Sequence, residues 1–315
     1  MTGDAGPGAP PDGAREHGTD PRPREFHPTL GALMVVGAAC LWGSLGLFGR
    51  LAFDHGASPL QVASVRAALA FLGVLPFALA RSRALALRRL RDLPFVLGYG
   101  AIGIGFFYFV YLVAVERLPL AVAAALLYTA PAFVVALSWT LGWEPVRIRR
   151  LLPLAMVLVG AFLVTGAFRA LASVEIAGTA AGVASGLAYA VYTVLGKRIR
   201  RRYDTVTTIF YAYGVGALVL AFLEPPWTVF AAHPDATAVL LLMGLGPTLL
   251  AALLFYGGIR HIDASTASML ATIEPVVAAL LGLAWLGEPL AAATVAGTAL
   301  ILGAALLLRP RPTPP

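Results

Sequence analysis

The sequence predicts an all-α polytopic membrane protein: ten transmembrane helices in two inverted five-helix repeats, with both termini inside. Three observations carry this expectation, namely composition, the spacing of apolar runs and an internal repeat. Of 315 residues, 59% are hydrophobic and only 12% charged, with mean hydropathy +0.82. A soluble domain carries about 25% charged residues. The net charge of +7 does not indicate nucleic-acid binding, because the basic residues follow the pattern expected of membrane topology. The single cysteine, Cys40, lies in an apolar run, can form no internal disulfide, and is expected to be a small buried residue.

Residues 1–29 are rich in Gly, Pro and charge and read as a cytoplasmic disordered tail without a cleavable signal peptide. Apolar runs long enough to span then alternate with short polar loops. They predict helices over Leu30 to Phe53, Leu60 to Ala80, Leu93 to Val115, Leu118 to Leu141 and Leu151 to Phe168. A second set follows over Ala177 to Leu195, Thr205 to Leu223, Thr237 to Gly257, Ala264 to Leu286 and Leu290 to Leu308. Residues 309–315 form a second cytoplasmic tail. Short loops rich in Lys and Arg stay in the cytoplasm. With the N-terminus inside, 19 of the 23 basic residues fall on the cytoplasmic side and only Arg50, Arg117 and Arg169 on the other, with Arg66 inside a helix.

The repeat appears when the chain is shifted on itself. A shift of 144 places Pro131 on Pro275 and Glu144-Pro145 on Glu288-Pro289, and a shift of 147 places Gly31 on Gly178 and Trp42 on Tyr189. The halves are residues 30–168 and 169–308. Because each half holds an odd number of helices, the second enters the membrane from the opposite side. Secondary transporters built this way bind at the midplane between the halves and expose the site to each side in turn.

Within this frame a few residues stand out. Glu274 lies in the middle of an apolar run, roughly 15 Å deep in a hydrocarbon layer about 30 Å thick. A charge there costs roughly 2.5 to 3.5 kcal/mol, and such groups usually face a bundle interior or a wet cavity. Arg66 enters the second helix about 12 Å from its external end. The other half has Ala130 opposite Glu274 and approximately Ala212 opposite Arg66, so these charges are additions to a shared scaffold. Glu274 can lose its charge by taking a proton; Arg66 cannot. The expected roles are a proton-coupling or substrate-amine site at Glu274, and at Arg66 a partner for a substrate carboxylate or for Glu274 itself. Pro131 and Pro275 deprive the carbonyls of Leu127 and Ala271 of helical donors, with Tyr128 and Thr272 three residues before each proline. Trp42 and Tyr189 at equivalent positions, with Phe106, Phe107, Tyr108 and Tyr111 in the third helix, are candidate pocket walls. Gly178, Gly182 and Gly186 form a GxxxGxxxG stripe expected to make close helix contact.

Several chemistries lack their residues. There is no GxxxxGK[ST] loop, the only lysine is Lys197, no HExxH occurs, and no predicted span contains a histidine or an aspartate. An enzyme, a cofactor and a metal site are therefore not expected.

The chain resembles the drug/metabolite transporter superfamily, and within it the bacterial EamA family. The resemblance rests on Trp42-Gly43-Ser44, Arg66, Pro131, Glu274-Pro275 and Leu286-Gly287-Glu288, and covers essentially Leu30 to Leu308. Departures are Leu45 where Asn is common, Ala67 where Phe is frequent, and Trp143-Glu144 in place of Gly-Glu. The resemblance implies an inner-membrane carrier that exports or exchanges small metabolites such as amino acids, their derivatives or amphipathic compounds. Its expected partners are a small-molecule substrate, the lipid bilayer and protons, and its expected state is a monomer or homodimer. An uncoupled uniporter or exchanger is the alternative, and a non-transporting receptor or scaffold a remote one.

Overall fold

The structure, a computed structural model, describes residues 27–81, 92–169, 175–287 and 289–308. Residues 1–26 and 309–315, most of the basic loop from Arg81 to Arg91, residues 170–174 and Glu288 lie outside the described residues, and the predicted tail of residues 1–29 is shortened because α1 starts at Pro28. Nine helices among those described are long and apolar enough to cross a membrane. They are α1 (Pro28–Asp54), α2 (Pro59–Ala80), α3 (Leu93–Arg117), α4 (Leu120–Thr140) and α5 (Ile148–Thr165) in the first half. In the second half they are α6 (Ile176–Arg200), α7 (Thr205–Leu223), α8 (Pro234–Gly258) and α9 (Ala264–Trp285). A shorter apolar helix, α10 (Ala292–Leu307), completes the series.

Local chemistry sets many of the ends. Ser58 accepts the Gln61 amide while the Gln61 side chain accepts the Ser58 amide, a reciprocal cap that starts α2 at Pro59. Asp204 accepts from Thr207 N at 2.8 Å and starts α7 where the sequence predicts. Glycine in the left-handed region ends α5 at Gly166 and α9 at Gly287. Two segments depart from expectation. α6 continues past Leu195 to Arg200, because its basic residues there find acceptors inside the protein: Lys197 donates to Ile259 O at 2.9 Å, and Arg200 to Tyr256 O at 2.9 Å. A short helix, Pro226–Ala232, lies in the α7–α8 connection, which the sequence reads as loop.

The interruptions are duplicated as faithfully as the helices. α4 breaks at Tyr128–Thr129 and α9 at Thr272–Ile273, positions that coincide under the 144-residue shift. Backbone angles agree as well, with Tyr128 at φ −72, ψ 4 and Thr272 at φ −69, ψ 4. Wide π turns recur at Ala101–Phe106 in α3 and Gly244–Leu250 in α8. Such turns disturb the regular ladder and are common at functional sites. Helix pairings exchange in the same way: α1 packs on α8 and α6 on α3, while α1 also meets α9 and α6 meets α4. α5 and α10 pack chiefly on one another at the periphery.

Burial divides an inner face from an outer one. The largest core cluster joins α1, α2, α3, α6, α7, α8 and α9 around Tyr99, Tyr213, Phe255 and Tyr256. Phe77, Phe222 and Trp285 point outward from the bundle with large exposed areas, as expected against lipid. Cys40 is also exposed on the outer face of α1, which corrects the expectation of a buried cysteine. The apolar run around it is apolar because it faces lipid as well as core.

The glycine stripe of α6 does make close helix contact. A Cβ added at Gly178 would come within 2.7 Å of Leu118 Cγ, and one at Gly186 within 2.8 Å of Thr129 Oγ1 and 2.9 Å of Leu126 O. Gly186 thus lies against the break in α4, where a backbone oxygen cannot move aside. Gly186→Val is therefore expected to lower the Tm of the purified protein by several degrees, consistent with an overpacking cost of about 1–3 kcal/mol. Gly98→Ala, which meets nothing within 4 Å, should leave Tm nearly unchanged. Equal Tm values for the two variants would contradict this packing.

Candidate functional site

A central cavity of about 240 Å³ lies between α1, α2, α3, α6 and the start of the second segment of α9. Arg66 and Glu274 both line it, among aromatic rings from both halves. Trp42 and Tyr189, paired by the repeat, meet edge to face with ring centroids 6.3 Å apart. Phe107 stands 5.6 Å from Tyr189 on the other side. Tyr108 and Tyr111 also line the cavity, whereas Phe106 is 46% exposed on the outer face and forms no part of it.

The two charges are held apart. Arg66 donates from Nε to Thr248 Oγ1 at 3.3 Å, and its guanidinium lies 4.7 Å from the centroid of the Tyr108 ring. Thr248 belongs to the π turn of α8 and in turn donates to Met243 O at 2.9 Å. The wide turn thereby supplies the hydroxyl that orients the arginine. Glu274 and Tyr128 face one another across the paired breaks of α4 and α9, both bordering one small cleft. Among the described residues no direct ion pair joins Arg66 to Glu274, so in this conformation both are turned to the same cavity rather than to each other. Tyr128 and Thr272 border a smaller cleft beside Glu274, and Pro131 borders it too. Pro275 is buried directly after Glu274.

Gly43 explains why α1 can reach this centre. A Cβ there would fall 2.6 Å from Val277 Cβ and 2.8 Å from Glu274 O, so only glycine lets the helix lie against the break in α9. Ser44 donates to Leu41 O at 2.7 Å and marks a one-residue interruption of α1 between Pro28–Gly43 and Leu45–Asp54. The Trp-Gly-Ser sequence thus provides a ring for the cavity, a close approach and a bend.

The cavity is lined at one end by Phe53, Pro59, Val115 and Leu120, all at helix ends on the face opposite the start of α1. Towards the face where α1 starts, bonds between the two halves close it. Glu144, beyond the end of α4, accepts from Ala264 N at 2.6 Å and from Ser265 Oγ at 2.7 Å, capping α9 from the other half. The residue in the N-cap position, Asp263, is engaged instead by Arg150, which also donates to Ser265 Oγ at 2.7 Å. Asp92 accepts from Arg202 at 3.0 Å and from Tyr203 Oη at 2.8 Å. Deeper in, Tyr99 and Tyr256 share a hydrogen bond between their hydroxyls, and the Tyr256 ring meets Tyr192 at the cavity wall with centroids 5.4 Å apart. None of these lock residues was identified from sequence. Glu144 had a signal, as half of the repeated Glu-Pro pair; Arg150 counts in sequence only as one basic loop residue, and Asp263 lies beside a predicted helix end.

The fold and this half-closed, charged, aromatic cavity define a multi-pass membrane carrier. The sequence profile of the EamA-like transporter family matches residues 29–166 and again residues 176–309, and the chain belongs to that family. An uncharacterized transporter of Archaeoglobus fulgidus is 31% identical over 281 residues, covering 88% of this chain and 95% of the relative. The uncharacterized inner membrane transporter YicL of Salmonella typhimurium is 27% identical over 283 residues, covering 88% and 94%. A solved crystal structure shares the fold with a TM-score of 0.74 at 22% identity, over 89% of this chain and 98% of the other.

The lock carries a pH signature. Burial raises the Asp263 carboxyl, but the Arg150 hydrogen bond and the charges of Arg150, Lys197 and Arg147 outweigh it and hold the group below the usual carboxylate range. A depressed carboxyl contributes stability that is full above its unfolded pKa, about 3.9, and lost as pH falls through the folded value. Thermal unfolding should therefore show Asp263→Asn less stable than wild type at neutral pH, with the gap closing under acid conditions. Parallel curves for the two proteins would contradict the assignment.

Proposed function

We propose that the protein is a secondary active transporter that exports small organic metabolites, amino acids or their derivatives or related amphipathic compounds, by alternating access. The observation that carries this reading is the placement of one permanent cation and one protonatable acid in a single aromatic cavity between the two halves, which reaches the face opposite the Glu144–Arg150–Asp263 bonds. Arg66 takes a substrate carboxylate, and Glu274 takes a substrate amine or a proton. Aromatic walls from Trp42, Tyr189 and Phe107 suit a flat or apolar body between them.

In this reading α10 is the tenth span, the N- and C-termini are cytoplasmic, and the membrane is the bacterial inner membrane. α10 has 16 residues, about 24 Å of helix, which crosses a locally thinned layer. The name of the Salmonella relative and the basic residues gathered on the face where α1 starts support this placement. The cavity then faces outward, the lock is the cytoplasmic seal, and no cofactor takes part. Halves spanning residues 30–168 and 169–308 rock against each other, and a monomer is sufficient for the pathway.

Flux of labelled amino acids and amphipathic cations into proteoliposomes, with and without an imposed pH gradient, tests the reading. Flux should respond to the gradient in wild type and lose that response in Glu274→Gln. Arg66→Ala should weaken apparent affinity for carboxylate-bearing solutes about 10- to 100-fold, as expected for loss of a charge-assisted bond. Wild-type flux indifferent to the gradient and unchanged in Glu274→Gln would leave the uncoupled uniporter; saturable binding without flux under any gradient would leave a receptor.

A further inference from the structure

The π turn of α8 carries two residues that its counterpart in α3 lacks. Under the 144-residue shift Pro247 falls on Gly103 and Thr248 on Ile104. α2 packs on the α8 turn as α7 packs on the α3 turn, so the two crossings are equivalent in the scaffold. At the first, Arg66 meets Thr248. At the second, approximately Ala212 replaces the arginine, and Ile104 packs on Gly216, where an added Cβ would come within 2.4 Å of it. Charge and hydroxyl are thus present together at one crossing and absent together from the other.

Local chemistry explains how the turn addresses the arginine. Pro247 has no N–H to give to Met243 O, the carbonyl four residues before it. Thr248 Oγ1 donates its proton to that oxygen at 2.9 Å, and the buried hydroxyl then has only lone pairs to offer. They accept from Arg66 Nε at 3.3 Å, while the Tyr108 ring, centred 4.7 Å from Cζ, covers one face of the guanidinium. A guanidinium has two edges for paired hydrogen bonds, one formed by Nε with an Nη and one formed by both Nη groups. Thr248 occupies the first. Among the described residues no acceptor pairs with either Nη, so the second edge is left for the cavity that Arg66 lines.

We propose that Thr248 is a positioning residue that presents the Nη edge of Arg66 to one planar carboxylate, and that the solute is an amphipathic monocarboxylate. Two coplanar N–H groups match the two oxygens of a carboxylate. The rest of the cavity wall is chiefly apolar and aromatic, so the body behind the carboxylate is apolar as well. A phosphate monoester or a dicarboxylate would bring two negative charges to a cavity with one permanent cation and a further carboxyl group, Glu274. Charge left unbalanced in apolar surroundings is costly, so such solutes are disfavoured. The inference rests on Arg66 being the carboxylate partner, as proposed above. It adds which edge of the guanidinium binds, what holds that edge in place, and how many charges the solute carries.

Calorimetric titration of the purified full chain with phenylacetate, phenylacetamide and benzylphosphonate tests it. Phenylacetate should bind wild type about 10-fold or more tightly than either of the others, the preference expected of a charge-assisted pair of hydrogen bonds. That preference should fall about 10-fold in Thr248→Val, which keeps the side-chain shape but loses the acceptor, and stay within about 3-fold of wild type in Thr248→Ser. General damage to the cavity would weaken acid and amide alike, so the preference, and not the affinity, is the readout. A preference kept in full by Thr248→Val, or lost equally in Thr248→Ser, would overturn the role of Thr248. Equal wild-type affinity for the three compounds, or no binding of phenylacetate, would overturn the substrate class. Arg66→Ala separates the two readings: an unchanged preference there removes Arg66 as the carboxylate partner, whereas its loss there and retention in Thr248→Val removes the present inference alone.

Discussion

A backbone carbonyl without a donor is expensive inside a hydrocarbon layer, and this fold places two interrupted helices at its centre. That constraint organises the rest. The breaks of α4 and α9 are tolerated only where protein surrounds them, so they face each other, and α6 and α1 close over them through Gly186 and Gly43. Thr129 and Thr272 turn their hydroxyls back on Leu126 O and Met269 O, which also accept the threonines' own amides, tightening the turn at each break. The remaining polarity is concentrated at one point, and Glu274 begins the second segment of α9 at that point.

The scaffold is symmetric and the chemistry is not. Breaks, π turns and helix pairings recur in both halves, whereas Arg66 and Glu274 each occur in one. The lock is asymmetric as well in this conformation: Glu144, Arg150, Asp263 and Ser265 are joined on the face where α1 starts. On the opposite face the halves also meet, through the half-exposed Arg117–Glu175 pair and through Ser64 and Gln61, which donate to Glu224 at 2.5 and 3.4 Å. Both faces carry bonds between the halves, made by different residues, and the cavity reaches towards the face opposite the start of α1.

Much of the fold was legible because hydropathy and proline are strong signals. The α7 ends at Thr205 and Leu223 follow from Asp204 and the Glu-Pro-Pro that comes after, and the duplicated breaks follow from Pro131 and Pro275. Glu274, Arg66, Trp42 and Tyr189 were brought to one cavity, and Tyr128 and Thr272 to the cleft beside it. Other features were silent for physical reasons. α6 outlasts its apolar run because Lys197 and Arg200 reach carbonyls of α8 and the loop after it, and such pairing is tertiary. Cys40 and Phe106 face outward because in a membrane protein an apolar run does not distinguish lipid from core. Thr248 carries no pattern of its own; only its neighbours give it a role.

The central claim is that the cavity holding Arg66 and Glu274 opens to one face at a time, with the Glu144–Arg150–Asp263 lock deciding which. Labelling of a single cavity cysteine tests it most directly. Gly46 lines the cavity and leaves room for a side chain, so Gly46→Cys in a Cys40→Ala background reports access with little disturbance. A membrane-impermeant thiol reagent should reach this cysteine from the face opposite the start of α1. After Glu144→Gln and Arg150→Gln the same cysteine should become reactive from the other face, with reduced labelling from the first. Labelling confined to the original face at an unchanged rate in the unlocked protein would contradict the account.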